Sequence, residues 1–328
     1  MNIGVVGTGS VARNNYLPYL AKRDDVTLTY FSRTPAKAEE CARDFGGRVA
    51  GSIGELLAAQ LDAILVLTLE TQRYEAVLPL LDGSPKRLFF EKPLVAQNGQ
   101  DRVGEDDFLK ARELLARCTA RGTETAMVFN YRFLVQTARM KRIIAERHFG
   151  KLIHASMYVN YASWSHCIDL LHLFGGRASV VSALQSAVRY RDAVDVAGAF
   201  RLENGATGTI LGTNATNGTR YDFPLYHLTL NFEQGTFRLS DLDGPVEVFD
   251  NTTRYSETYA LYGKRSRRDQ YNESFEKSLD AYLDSVQRNA PPPVPGTAGL
   301  EELQFEAALR RSVEQKRPVD VQGEFPLP

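Results

Sequence analysis

Asn2-Ile3-Gly4-Val5-Val6-Gly7-Thr8-Gly9-Ser10-Val11-Ala12 is the stretch whose reading decides the fold. A short apolar run leads into two glycines and then into a helical pattern carrying Val11, Leu17 and Leu20. Strand, then G-x-G-x-x-A, then helix is the order a dinucleotide-binding turn requires. Gly7 permits the tight turn, Gly9 lets the backbone approach a pyrophosphate, and Ala12 lets the helix press on the strand. The helix amino end then faces the phosphates. Gly7, Thr8, Gly9, Ser10 and Val11 are therefore the expected cofactor contacts at the turn.

The next strand is Val26 to Phe31, and it ends in Ser32-Arg33-Thr34. A site that prefers NAD usually has an acidic residue there to hold the ribose hydroxyls. Ser32 and Thr34 instead offer hydrogen bonds and Arg33 offers charge, so NADP(H) is preferred and NAD(H) remains possible. The competing reading is an arginine merely exposed at a loop.

Strand and helix patterns then alternate. Thr34 as cap and Pro35 in the first turn start a helix that runs to Phe45 and stops at Gly46-Gly47. Arg48 to Ala50 is a short strand and Ile53 to Ala59 a short helix. Asp62 to Thr68 is nearly all apolar, as a central parallel strand covered on both faces should be, and it sets Thr68 at a carboxyl end where ligands sit. A helix over Tyr74 to Leu81 and a strand over Arg87 to Phe90 deliver Glu91-Lys92-Pro93 to the same edge. Helix Phe108 to Arg121 and strand Thr125 to Phe129 end the alternation. The expected division is a dinucleotide-binding domain over 1–126 and a substrate-binding and oligomerisation domain over 127–328.

The second half reads as a helix over Leu134 to Arg147, a strand over Leu152 to Tyr161 and a helix over Ser165 to Phe174. Strand-like runs follow at Val180 to Tyr190, Val194 to Leu202, Ala206 to Asn214, Tyr221 to Phe232 and Thr236 to Ser240, parted by turns such as Glu203-Asn204-Gly205. Helices at Phe275 to Arg288 and Leu300 to Glu314 precede a last short strand, Val319 to Val321. The fold class predicted is α/β plus α+β: an N-terminal doubly wound parallel sheet, then an open, mostly antiparallel sheet covered by helices on one face.

The chain has 328 residues, 43% apolar and 24% charged, with net charge -1. That balance gives no reason to expect nucleic acid or an anionic membrane as partner. The basic run Lys264-Arg265-Ser266-Arg267-Arg268 reads as a solvated loop. No apolar run approaches the roughly 18 residues a bilayer span needs, and the opening strand leaves no room for a secretory signal. Cys41, Cys118 and Cys167 lack metal-ligand spacing. They are expected as reduced thiols in a cytoplasmic protein with no metal.

Three features carry chemistry together: the turn at 7–12, Glu91-Lys92-Pro93, and His166-Cys167-Ile168-Asp169 at a helix start. On these the chain resembles the Gfo/Idh/MocA oxidoreductase family, with the tripeptide its most specific element. The resemblance implies an amino-terminal Rossmann domain and a carboxy-terminal α/β domain. It implies that Lys92 lies beside the nicotinamide and the reacting oxygen, and that His166 helps move the proton. Glu91 joins Ser32, Arg33, Thr34, Thr68 and Lys92 among the expected cofactor contacts. Hydride transfer at a carbinol carbon needs such a proton partner, and burial can bring a lysine pKa toward working pH.

Each assignment has a plainer rival. Lys92 can be a surface lysine ending a strand, and His166 a capping or packing residue. Asp169 is counted with Tyr161, Trp164 and Arg132 among the substrate-binding residues, in a supporting role that orients His166 or caps locally. Arg132, just after the last strand with Asn130 and Tyr131, either holds substrate or makes an ion pair between domains. Many family members carry an aspartate four residues before the histidine, where this chain has Ala162. Tyr161 is then a replacement acid, a platform for a sugar ring beside Trp164, or core packing. Arg73 stands where family members often have histidine.

The expected function is an NADP-preferring oxidoreductase acting on a carbon of a sugar, nucleotide-linked sugar or cyclitol. The alternatives are an imine or enone reductase, or a non-catalytic NADP-binding redox sensor. A homodimer or homotetramer through the C-terminal sheet is expected, as relatives commonly form.

Overall fold

The computed structural model describes residues 1–190, 193–213, 224–263 and 266–328. Packing divides the chain into two compact units: Met1–Phe129 with Phe275–Leu303 and Pro328, and Asn130–Ser274 with Gln304–Leu327. The first crossing falls three residues after the boundary expected at 126/127. The return of Phe275–Leu303 to the first unit was not expected, and aromatic packing accounts for it. Phe275 meets the Tyr16 ring at 5.2 Å and Tyr282 meets Phe89 at 4.7 Å, all four rings being buried.

In the first unit, β1 (Asn2–Val6), β2 (Thr27–Phe31), β3 (Arg48–Val49), β4 (Ala63–Val66), β5 (Arg87–Phe90) and β6 (Glu124–Met127) form one sheet in the order β3-β2-β1-β4-β5-β6. Every pairing is parallel. The chain winds outward in one direction to β3 and in the other from β4, so the reversal lies between β1 and β4, where sheets of this kind bind ligands. β1 ends at the glycine turn and β4 just before Thr68. Both β4 and β5 are buried along their whole length, which is why they read as unbroken apolar runs.

The helices of this unit are α1 (Leu17–Leu20), α2 (Pro35–Phe45), α3 (Ile53–Leu57), α4 (Glu70–Leu81) and α5 (Glu105–Ala120). The helix after the glycine turn is not regular: Ala12–Tyr16 is a wider π-type turn that runs into α1. Pro18 has no N–H to give Asn14, which interrupts the regular ladder there. Leu17 and Leu20 are buried as expected, but Val11 is 37% exposed at the mouth of the turn. Thr34 occupies the cap position of α2 without a capping side-chain bond. Its N–H instead reaches the Ser32 hydroxyl at 3.2 Å. α4 starts four residues earlier than its pattern suggested. α5 starts at Glu105 because the Asp107 carboxylate accepts the Gly104 N–H at 3.0 Å.

The second unit holds α6 (Val135–Glu146), α7 (Trp164–Gly175) and a nine-stranded sheet. Its strands are β7 (Leu152–Asn160), β8 (Ala178–Tyr190), β9 (Ala193–Leu202), β10 (Thr207–Thr213), β11 (Tyr226–Phe232), β12 (Gly235–Ser240), β13 (Val246–Asp250), β14 (Tyr255–Tyr259) and β15 (Val319–Asp320). They lie in the order β14-β13-β12-β11-β7-β10-β9-β8-β15, with β7 and β10 parallel and the other pairs antiparallel. Burial alternates along β10 to β13, so one face carries the core. β13 and β14 were not anticipated. The expected strand ends at Asn214 and at Tyr221 to Phe223, and Lys264 and Arg265 of the basic run, lie outside the described residues.

Three late helices complete the chain: α8 (Arg267–Gln287), α9 (Gly296–Gln315) and α10 (Val321–Glu324). Arg267 and Arg268 are helical rather than looped, and Arg267 pairs with Asp241.

Candidate active site

The first unit gathers most of the expected cofactor contacts at the carboxyl ends of β1, β2, β4 and β5. Gly7 has φ +97°, and a Cβ there would lie 2.7 Å from the Thr68 backbone nitrogen. Only glycine fits, and its absence of a side chain lets the β1 and β4 ends touch. Gly9 is the opposite case: a Cβ would meet nothing within 4 Å, and Gly9, Ser10 and Val11 are exposed. The Gly7 N–H donates to the Phe31 carbonyl at 3.1 Å, which ties the turn to the strand end just before Ser32 and Arg33. Arg33 is exposed and donates to the side-chain oxygen of Gln72 in α4.

These residues fit a bound dinucleotide. The Thr8 and Thr68 hydroxyl oxygens flank the turn, are out of water and have no hydrogen-bond partner in the protein. A buried hydroxyl left without a partner is costly, and phosphate or ribose oxygens are suitable ones. No acidic side chain stands at residues 32–34 to repel a 2′-phosphate.

Glu91-Lys92-Pro93 follows β5 directly, and the Lys92–Pro93 peptide bond is cis. The Glu91 carboxylate is turned inward: one oxygen accepts the Tyr16 hydroxyl at 2.7 Å and the other accepts the Lys92 N–H at 2.8 Å. Glu91 therefore braces the loop from within. The Lys92 ammonium donates to Gln100 Oε1 at 3.0 Å. Burial depresses its pKa below the ordinary lysine value, against the opposing pull of Glu91, Glu70 and Glu302.

The residue that sequence reasoning undervalued is Arg73. It is 1% exposed on the buried face of α4, in line with Val77, Leu80 and Leu81. Its guanidinium donates to the carbonyls of Glu91 at 2.6 Å, Leu94 at 3.3 Å and Thr68 at 2.7 Å, and also to that of Pro93. The available signal was its position: an arginine four residues before Val77 on an otherwise apolar stripe must find buried acceptors.

In the second unit, His166 lies on the first turn of α7, 1% exposed. The Tyr131 ring stacks on it at 4.0 Å with the planes 11° apart, and the Tyr131 hydroxyl is 2.9 Å from Ser163 Oγ. Arg132 grips Asp169 through Nε and Nη2, at 2.5 to 3.1 Å. Asp169 is 1% exposed, and Arg132 belongs to the same unit, so this is not the ion pair between domains that the sequence offered as the rival reading. Burial raises the Asp169 pKa, and Arg132 counteracts the rise.

Tyr161 is 4% exposed, its pKa pushed up to about 12 chiefly by burial. Trp164 is 2% exposed and packs on Gly212 of β10, where a Cβ would lie 2.7 Å from the indole. Both rings sit in the packed interior of their unit, 5.5 Å from each other. Among the described residues no cluster of His, Cys, Asp and Glu could hold a metal ion.

A doubly wound parallel sheet with a glycine turn, partnerless hydroxyls beside it and a part-buried lysine at the β5 end of the same sheet defines a dinucleotide-dependent redox protein. Residues 1–105 match the Gfo/Idh/MocA family as "Oxidoreductase family, NAD-binding Rossmann fold", and residues 154–321 match its "C-terminal alpha/beta domain". The chain belongs to the Gfo/Idh/MocA family and is an NAD(P)-dependent oxidoreductase. Its fold is shared by an oxidoreductase from Agrobacterium radiobacter solved with NAD+, L-tartaric acid and magnesium (16% identity, TM-score 0.81, covering 99% of each chain). Levoglucosan dehydrogenase with NADH and levoglucosan is similar at 16% identity and TM-score 0.78, covering 98% of this chain and 99% of that one. The WlbA dehydrogenase of Bordetella pertussis with NADH and UDP-GlcNAcA is similar at 18% identity and TM-score 0.74, covering 97% and 98%. No helix among the described residues is long and apolar enough to cross a membrane.

Proposed function

We propose that this protein is an NADP-preferring dehydrogenase that moves hydride to or from a carbinol or carbonyl carbon of a sugar, nucleotide-linked sugar or cyclitol. The observation that carries the reading is Lys92: a part-buried amine at the β5 carboxyl end, 3.0 Å from Gln100 Oε1 and in the same unit as the glycine turn. The bound nicotinamide supplies the hydride acceptor or donor. Lys92 takes the hydroxyl proton as hydride leaves the carbon, and returns it in the reverse direction. A depressed pKa raises the fraction of neutral amine able to accept that proton. His166 is the second proton carrier, its ring orientation held by the Tyr131 stack. Arg33 holds the 2′-phosphate, with Gln72 fixing the guanidinium. Structurally similar proteins include a levoglucosan dehydrogenase and a UDP-N-acetylglucosamine 3-dehydrogenase, which supports the substrate class.

The protein is cytoplasmic and forms a homodimer or homotetramer through the open face of its nine-stranded sheet, where Leu184 is 77% exposed and Ile153 49%. Calorimetric titration with NADPH and NADH, followed by a panel of free and nucleotide-linked sugars assayed for cofactor reduction, tests the reading. Tighter binding of NADPH and turnover of one sugar class is expected. Equal or tighter binding of NADH sinks the role of Arg33. Turnover confined to imines or enones transfers the chemistry to those bonds.

A further inference from the structure

We propose that Arg73 is a positioning residue for the reaction: its guanidinium clamps the loop that carries Lys92 to the end of β4, fixing where the lysine amine stands. The proposal rests on the reading of Lys92 as the acid/base group.

The geometry is that of a purpose-built buried cation. Arg73 enters from the first turns of α4 and spans two strand ends, with Nη2 on the Thr68 carbonyl after β4 and Nη1 on the Glu91, Pro93 and Leu94 carbonyls after β5. Carbonyls on both sides of Lys92 are thereby drawn toward one planar group. No carboxylate among the described residues lies within salt-bridge distance of Arg73. An arginine stays charged in a protein, and a buried charge without a counter-ion persists only when dipoles solvate it. Four backbone carbonyls do that here. A neutral side chain of similar length would offer fewer donors, and a lysine would offer a point charge unable to fork across both loops.

The clamp also places a fixed positive charge behind the lysine. The groups acting on Lys92 are Glu91 on its own loop, Glu70 on α4 and Glu302 on α9, all favouring the charged amine, and Arg73, which opposes it. Desolvation is the largest influence, and Arg73 acts in the same direction. Removing the arginine charge therefore moves the Lys92 titration upward, while exchanging it for lysine keeps the charge and loosens the loop.

Two measurements that need no substrate test this. Protein carrying 13C-labelled lysine is titrated by NMR, with the Lys92 resonance assigned by its loss in Lys92→Met. In folded Arg73→Gln the Lys92 midpoint should rise, and in Arg73→Lys it should stay near the native value. Amide hydrogen exchange of Arg73→Lys should accelerate at least about tenfold in residues 91–96, with β5 itself unchanged. An unmoved midpoint in Arg73→Gln overturns the proposal. If that variant does not fold, native exchange rates across 91–96 in Arg73→Lys overturn it instead. Turnover of Lys92→Met tests the underlying reading separately: full activity there would remove the acid/base role while leaving the clamp to be judged on exchange and titration.

Discussion

Arg132 and Asp169 form a part-buried ion pair within one unit. From sequence, Arg132 was balanced between a substrate anchor and an ion pair between domains. It makes a forked bond to a carboxylate buried in its own unit. Removing one partner of such a pair strands the other, at a cost of about 3 to 5 kcal/mol. Arg132→Ala should therefore lower the denaturation free energy by about 3 kcal/mol or more, measured by urea unfolding. Gly7 makes a second prediction at this scale. A side chain at φ +97° would be strained and would press on Thr68, so Gly7→Ala should weaken dinucleotide binding by about tenfold or more in calorimetry. At Arg33, charged hydrogen bonds of about 1.5 to 3 kcal/mol are at stake. Arg33→Ser should weaken NADPH binding about tenfold or more and leave NADH binding unchanged.

At the scale of elements, the sequence was informative wherever one physical cause dominated. β4 and β5 are apolar because both faces are covered, and α2 begins at Pro35 and ends before a glycine pair. It was uninformative where polar residues are buried or apolar ones are few. β14 (Tyr-Ser-Glu-Thr-Tyr) is an edge strand with no buried residue, so nothing in its pattern marks it. Arg73 lies on the apolar stripe of α4 but reads as a break in it. The glycine turn announced itself, whereas the π-type winding after it depends on Pro18, whose effect on the previous turn has no periodic signature. α7 carries a further consequence. His172 has both ring nitrogens out of water without partners, and its pKa falls to about 3 through burial, with Arg132 and Arg177 adding to the effect. The unfolded chain takes up this proton near pH 6.5 and the folded one only near 3, so the unfolded state binds more protons in that window. Stability from His172 is complete above pH 6.5 and is lost as pH falls toward 3. His172→Phe should remove up to about 1 kcal/mol per pH unit of that slope, read from urea midpoints between about pH 7 and 5.

For the whole molecule, the alternation of strands and helices and its replacement by strand-rich sequence located two units. They did not disclose that Phe275–Leu303 rejoins the first, because that return is decided by rings far apart in sequence, Tyr16 with Phe275 and Phe89 with Tyr282. Of the candidate site, the glycine turn, Ser32-Arg33 and the lysine tripeptide were legible, since each is local. The Tyr131 stack on His166 and the burial of Trp164 against Gly212 were not, since each depends on packing between segments. The three cysteines are all buried, with Cys118 pushed up to about 12 and Cys41 and Cys167 also raised by burial. A thiol-specific disulfide reagent at neutral pH should therefore release almost nothing from the native protein and about three equivalents after denaturation.

The most direct test is Lys92→Met, assayed with the sugar substrate found in the panel and with NADPH titrated in parallel. The account predicts a fall in kcat of at least about 100-fold with NADPH affinity within about twofold of the native protein. Turnover within about twofold of native, with cofactor binding intact, would contradict it.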